Sequence, residues 1–375
     1  MTRLLHVTTS DMSLELLLGP QLRAFQAAGY EVHTASAPGP YVEGLVAEGI
    51  VHHPLRHATR AVAPHRDAAA LAELVRLCRA VRPDVLHTHN PKPGIYGRLA
   101  GRAARTPRIV NTQHGLYAQP TDPWSRRWPV YALERLAATC SHVELVQNPE
   151  DLDTLVHLGV PRHKLWFLGN GIDLGRFGPD PDARAATRRE LGVADHEVLV
   201  GTVGRLVQEK GYRELFAAAA SLAPRHPDLR WVVVGPHETD KGDPLTEADV
   251  AGAEATRIRF LGRRGDPERL YPAMDLFVLA SHREGWPRAA MEALACGVPV
   301  VATDIRGCRQ VVDHDRTGLL VPVGDPGALA QAVEHLAGDP ERRARLGATG
   351  QQTARLRFDQ QVVIRTTLAA YGGPP

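Results

Sequence analysis

No stretch of the 375-residue sequence approaches the roughly 18 consecutive apolar residues that a membrane-spanning helix needs. The opening residues, Met1 to Val7, run straight into a strand-like segment, with neither the length nor the cleavage pattern of an export signal. A cytoplasmic protein is therefore expected, with peripheral attachment at the inner face of the membrane left open. Cysteine is scarce. Cys78, Cys140, Cys296 and Cys308 stand far apart, and no pair has the C-x-x-C or zinc-ligand spacing. That excludes a disulfide framework and suggests buried thiols in a reducing compartment. An excess of one charge is also lacking: 44 Lys and Arg against 42 Asp and Glu leave a net charge of +2. No global attraction for nucleic acid or for a membrane follows from that balance. Lysine occurs only at positions 92, 164, 210 and 241, so a lysine inside a motif is informative.

Hydrophobic residues are plentiful, at 43%, and the length suits two domains. Short apolar runs alternate with longer amphipathic stretches. Strand-like runs at Leu4–Thr8, Glu31–Ala35, Asp84–Thr88, Arg108–Thr112, His142–Val146 and Lys164–Leu168 are separated by helix-like ones such as Leu14–Ala28, Asp67–Val81 and Pro129–Ala138. The Gly- and Pro-rich segment Gly169–Asp182 reads as a linker. Alternation then resumes with Val198–Val203, Arg230–Val234, Ile258–Leu261, Leu276–Leu279 and Val298–Ala302. This order predicts two α/β domains with parallel sheets covered on both faces. The boundaries are 1–172 for an acceptor-side domain and 173–357 for a nucleotide-sugar domain, with a helix at about 358–371 returning to the first. Ligands of such sheets bind beyond the carboxyl ends of the strands, so a cleft between two facing rims is expected.

Two segments of the second half carry chemistry. In the first, Gly204 and Arg205 follow an apolar strand, and Glu209, Lys210 and Gly211 lead into a helix. Two cations at a strand end suit a diphosphate whose charge grows as it departs. The same residues also fit a solvated turn. The second segment runs from Ser281 to Asp304. Gly285 and Pro287 suggest a tight turn into a helix that offers the N–H groups of Arg288, Ala289 and Ala290 to an anion. Glu284 and Glu292 flank that turn, and either carboxylate can accept two hydrogen bonds from a vicinal diol.

These elements together resemble the retaining glycosyltransferases of family 4, which have the GT-B fold: two Rossmann-like, doubly wound parallel-sheet domains facing a cleft. The Glu-x7-Glu element is Glu284 and Glu292, the Gly-Arg…Glu-Lys-Gly element spans Gly204 to Gly211, and a Gly-x-Pro-Val-Val-Ala-Thr run extends from Gly297 to Thr303. The resemblance covers nearly the whole chain and is dense from 199 to 325. It implies transfer of a sugar from a nucleotide-diphosphate sugar, by family habit a UDP-sugar, to a glycan, lipid-linked or small-molecule acceptor. Arg205 and Lys210 would hold the diphosphate and Glu292 the ribose. Glu284, Gly285, Trp286 and Pro287, with Arg288 and Ala289 following, would meet the donor sugar, and Arg263 would border the base. In the first half, a His-Gly pair, His114 and Gly115, would lie near the transferred sugar. Arg205, Lys210, His114 and Glu284 are thus the expected catalytic group. Ser10, Asp11, Met12, His89 and Tyr117 are expected on the acceptor side, together with His87 if strand-end histidines face the site.

The first strand–helix junction departs from the family: Thr8 to Leu14 contains no glycine where many relatives have two. Residues 82–135 carry nine Lys or Arg against three Asp or Glu, and 123–131 mix Trp124, Trp128 and Tyr131 with Arg126 and Arg127. Such a segment fits peripheral membrane contact, an anionic acceptor, or a solvated loop with packed rings. Three Asp-x-Asp pairs, at 151, 180 and 313, do not follow strands into the donor segment, so no metal and no other cofactor is expected. Two rivals remain: a sugar-nucleotide epimerase or hydrolase of the same architecture, and a non-catalytic sugar-nucleotide binder.

Overall fold

The computed structural model describes residues 1–58, 64–89, 91–118, 122–237 and 243–372. The chain divides into two compact units, one formed by Met1–Gly169 with the segment from Gln361 onward, the other by Asn170–Gln360.

The first unit is a seven-stranded sheet. Its strands are β1 (Thr2–Ser10), β2 (Tyr30–Ala37), β3 (Val51–Pro54), β4 (Val85–His89), β5 (Arg108–Gln113), β6 (Val143–Val146) and β7 (Leu165–Phe167), in the order β3-β2-β1-β4-β5-β6-β7. Every pairing is parallel. The central strands are buried on both faces, which explains their near-continuous apolar runs. The edge strand β3, Val-His-His-Pro, is half exposed and reads as no strand in the sequence. Its Pro54 is tolerated because an edge needs fewer donors. Leu4, Phe25, Val85, Val110, Val363, Ile364 and Tyr371 share one core cluster, so the final helix, Gln360–Ala370, belongs to this unit.

The second unit is a six-stranded sheet of β8 (Val198–Val203), β9 (Leu229–Val234), β10 (Ile258–Phe260), β11 (Leu276–Leu279), β12 (Val300–Thr303) and β13 (Gly318–Val321), in the order β10-β9-β8-β11-β12-β13. It too is parallel throughout and carries an apolar core on each face. In both sheets the order reverses beside the first strand, between β1 and β4 and between β8 and β11. These are the switch points at which the loops diverge and leave a crevice.

Two expectations need correction. The stretch up to Asp182 is not all linker: a helix spans Pro181–Leu191, capped by the Asp180 side chain accepting from the Ala183 N–H at 2.8 Å and closed by Gly192 at φ 65°. The Asp-Pro start and Gly stop are ordinary helix punctuation, hidden in a run rich in both breakers. The helix expected over Leu14–Ala28 is broken. A five-residue π-turn covers Ser13–Leu17, and the α-helix begins at Gly19, with Pro20 in its first turn.

Candidate functional site

In the second unit the two motif segments meet at the β8/β11 switch point. After β8 the chain passes Gly204 and Arg205, makes a 3₁₀ turn over Gln208–Lys210, and enters the helix Tyr212–Leu222 through Gly211 at φ 69°. A Cβ on Gly211 would lie 1.9 Å from the Ala280 carbonyl oxygen, so only glycine lets this turn approach the end of β11. The His282 N–H donates to the Glu209 carbonyl at 2.9 Å, fastening the two loops together. The Tyr212 hydroxyl donates to the Gly204 carbonyl at 2.9 Å.

This register brings Lys210 Nζ within 2.6 Å of Glu284 Oε1, which also accepts from Ser281 Oγ at 2.9 Å. Gly307 is packed so closely that a Cβ would sit 2.4 Å from the Glu284 carbonyl, fixing the backbone of the loop. Pro287 precedes the helix Arg288–Ala295, whose inner face is anchored by Ala290, Met291, Ala293 and Leu294. Trp286 is buried in the same core, with Ala289 packed against it. Glu292, one turn into the helix, accepts from the Tyr271 hydroxyl at 2.8 Å and lies 3.8 Å from the Arg288 guanidinium. Burial raises the Glu292 pKa, partly countered by Arg288 and the Tyr271 bond. Burial beside Glu292 raises Tyr271 well above the usual phenol range. Gly204, Arg205, Lys210, Glu284, Gly285, Trp286, Pro287, Arg288, Ala289 and Glu292 thus fall on the two fastened loops and the helix that follows. Arg263 lies apart from them in sequence, three residues beyond β10, and is exposed.

In the first unit, His114 follows β5 directly and joins a chain of hydrogen bonds absent from any local pattern. With Gln147 Oε1 as acceptor, the donors run in one direction. His114 Nδ1 donates to Gln147 at 3.2 Å, and His89 Nδ1 donates to His114 Nε2 at 2.9 Å. His6 Nδ1 donates to His89 Nε2 at 3.1 Å, and the Tyr371 hydroxyl donates to His6 Nε2 at 3.2 Å. His87 Nδ1 donates to Tyr371 at 2.6 Å, and the Thr112 hydroxyl donates to His87 Nε2 at 2.7 Å. The rings of His6, His87 and His89 are buried and stacked or tilted on one another. Burial lowers all four imidazole pKa values, His6 to about 3 and His114 to about 4, so the network is neutral.

His6, His87 and His89 are also a group whose ligating atoms lie within 4.8 Å of one another. All six of their ring nitrogens are engaged in the bonds just described, so the donor set does not fit a metal without breaking the network.

Of the acceptor-side residues, His89 belongs to the hydrogen-bonded chain just described. Asp11 is buried and its carboxylate accepts from the Tyr41 N–H at 2.8 Å, while a Cβ on Gly39 would lie 2.3 Å from it. Its position reads as a clamp on the turn after β2. Ser10 Oγ lies 3.3 Å from Ser13 Oγ, and Met12 immediately precedes the π-turn. Tyr117 is half exposed beneath the Arg126 guanidinium, 5.4 Å from the ring centre. Sequence reasoning missed Tyr371, Thr112, Gln147 and His6. The one available signal was His6 alone among apolar residues in β1.

The three Asp-x-Asp pairs have other work. Asp151 is buried and accepts from the Leu116 N–H at 3.0 Å, Asp180 caps its helix, and Asp315 bonds Arg342.

Comparison with known proteins agrees with this division. Residues 21–176 match the model of glycosyltransferase family 4, and residues 183–353 match that of the glycosyl transferases group 1. A UDP-Gal:alpha-D-GlcNAc-diphosphoundecaprenol alpha-1,3-galactosyltransferase of Escherichia coli is 30% identical over 280 residues, 73% of this chain and 71% of that protein. A GDP-mannose-dependent alpha-mannosyltransferase of Mycobacterium tuberculosis is 34% identical over 281 residues, 72% of this chain and 69% of that protein. Among solved structures, HepE of Anabaena in complex with UDP superposes with a TM-score of 0.82 at 22% identity, covering 99% of this chain and 100% of that one, which shows the GT-B fold. With both halves matched and the fold shared, the chain belongs to glycosyltransferase family 4.

Proposed function

We propose that this glycosyltransferase moves a sugar from a nucleotide-diphosphate sugar, UDP being the favoured nucleotide, to a hydroxyl of a glycan, lipid-linked or small-molecule acceptor, retaining the anomeric configuration and using no metal. The observation that carries the reading is the 2.6 Å contact of Lys210 with Glu284 at the β8/β11 switch point, in the loop that leads into the helix bearing the largely covered Glu292. Lys210 is held at a strand end where a diphosphate can outcompete a single carboxylate for its charge. Arg205 adds a second cation and the start of the 288–295 helix adds N–H dipoles. Together they supply the positive field that a leaving diphosphate needs. Glu292, whose carboxylate is disfavoured by burial, gains most from a ligand that donates hydroxyl hydrogens to it, as a ribose diol does. Released by Lys210, Glu284 is free to accept from a sugar hydroxyl. His114 is assigned to the transferred sugar as a neutral hydrogen-bonding group, because a pKa of about 4 leaves it uncharged at neutral pH.

The leaving diphosphate takes the acceptor proton on the same face of the sugar, and the acceptor oxygen bonds the anomeric carbon as the phosphate oxygen departs. No carboxylate nucleophile is invoked. The E. coli relative uses UDP-Gal, the M. tuberculosis relative depends on GDP-mannose and HepE of Anabaena is seen with UDP, so the nucleotide is the point to test. UDP-, GDP- and ADP-sugars are added to EDTA-treated protein and thermal unfolding is followed. A selective rise with UDP-sugars is expected, since a ligand bound only by the native state stabilises it. A rise that requires a divalent ion, or none with any donor at millimolar concentration, contradicts the reading.

A further inference from the structure

The helix Trp124–Ala138 is inside out. Its buried face carries Glu134, Ala137 and Ala138, and Glu134 is accommodated by a 2.6 Å ion pair with the buried Arg98 and a 2.8 Å hydrogen bond from the Gln113 amide. Its outward face carries Trp124, Trp128, Ala132 and Leu136, spaced four apart and so aligned in one stripe, with Pro129 and Leu133 beside it. Trp124 is 68% exposed and Trp128 58%, and Leu133 and Leu136 are also exposed. A helix packed on a sheet normally does the reverse, turning its apolar stripe inward. A contiguous apolar stripe left in water marks an interaction surface rather than scattered surface residues.

The surroundings say what kind of partner it fits. Arg126 and Arg135 are exposed on the same helix. Thr139 and Cys140, the two residues after it, open a groove lined by Arg102, Arg105, Arg108, His142, His163 and Lys164, with no carboxylate among its lining residues. Part of this charge offsets the C-terminal dipoles of the helices ending at Ala103 and Ala138: Lys164 donates to the Ala138 and Ser141 carbonyls at 3.2 and 2.8 Å. Two half-charges do not balance so many cations, and Arg102, Arg105 and Arg108 pair with no carboxylate among the described residues. The positive field is felt by His142, whose pKa is lowered by burial and then by Arg108, Lys164 and Arg102. Apolar stripe and acid-free groove are continuous at Thr139. That pairing of aromatic anchors with cations is the complement of an anionic bilayer, whose headgroups meet the cations while the rings enter the acyl boundary. The groove lies at the amino ends of β5 and β6, so docking there leaves the carboxyl end that holds His114 unobstructed.

We propose that the outward face of the 124–138 helix, with the basic groove at its end, docks this protein on an anionic lipid surface. The inference does not depend on which donor or acceptor is used.

The test is co-sedimentation of the full chain with vesicles of phosphatidylcholine alone and of phosphatidylcholine mixed with phosphatidylglycerol, with tryptophan fluorescence recorded. Binding to the mixed vesicles, a blue shift, and weakening as salt is raised are expected. The double variant Trp124→Ala/Trp128→Ala should bind roughly tenfold less or weaker still. Arg102→Glu/Arg105→Glu should also lose binding, and both variants should keep the parent melting temperature. Equal binding to both vesicles, or none to either, overturns the proposal. So does concentration-dependent self-association that the Trp124→Ala/Trp128→Ala variant abolishes, since the stripe would then be an interface between copies.

Discussion

The carboxyl ends of the two sheets are built from opposite chemistries. Along β1, β4 and β5 and out to His114 at the carboxyl end of β5, neutral imidazoles pass hydrogen bonds from Thr112 to Gln147, and burial keeps every ring uncharged. Beyond β8 and β11, a lysine faces a carboxylate and a second carboxylate is held under a tyrosine. The same topology supports both because strand ends fix positions, not residue types. A charged rim suits a ligand that is itself charged, and a neutral rim suits hydroxyl groups. Both are needed if one partner of the reaction is a diphosphate and the other a sugar.

Acid separates the two units most strongly. A histidine whose folded pKa is depressed adds stability that is present above its unfolded value near 6.5 and is lost as pH falls toward the folded value. Each such group loses about 1.4 kcal/mol per pH unit. His6, His87, His89 and His114 act together, so the first unit is expected to unfold between pH 6.5 and about 4 while the second keeps its protection. Hydrogen exchange read segment by segment across that range checks it, and simultaneous loss in both units would count against the neutral network.

Arg98→Ala comes next. It leaves Glu134 and Glu144 buried without their shared cation, a loss of about 3–5 kcal/mol confined to the first unit and visible in thermal unfolding. Lys210→Ala sharpens the contrast from the other side. Turnover is expected to fall about 10²–10³-fold, as for loss of one charge-stabilising donor, with little change in melting temperature. Steady-state kinetics with the preferred donor decide it, and unchanged kcat would remove Lys210 from the reaction. Glu292→Ala should instead weaken nucleotide binding, measured by calorimetry.

Tyr371→Phe has the smallest effect. It removes the hydroxyl between His6 and His87, for about 1–3 kcal/mol of stability, and frees the His114 tautomer. A lower kcat with unchanged KM, alongside a new mixture of imidazole tautomers by ¹⁵N NMR, is expected. A loss of stability alone would make the network structural.

How much of this is legible in the sequence follows from the same comparison. The second unit's site is local: Gly204 to Gly211 and Ser281 to Glu292 are two short segments, each following an apolar strand, and their residues can be read in place. The first unit's network joins His87 to Tyr371 across 284 positions and Tyr371 to His6 across 365, and no spacing announces it. The strands β1, β8 and β11 stand out as apolar runs because both faces are covered. The edge strand β3 does not, nor does the 181–191 helix, whose start signal sits in a run of breakers. The inside-out helix defeats pattern reading for a further reason: its inward Glu134 is explained by Arg98 and Gln113, 36 and 21 residues away.

The most direct test of the account is hydrogen exchange of the whole protein with and without a saturating UDP-sugar. Protection concentrated at 203–212 and 281–292 is predicted, from donor held on the charged loops of the second unit. Protection confined to the first unit, with those two segments unchanged, would contradict it.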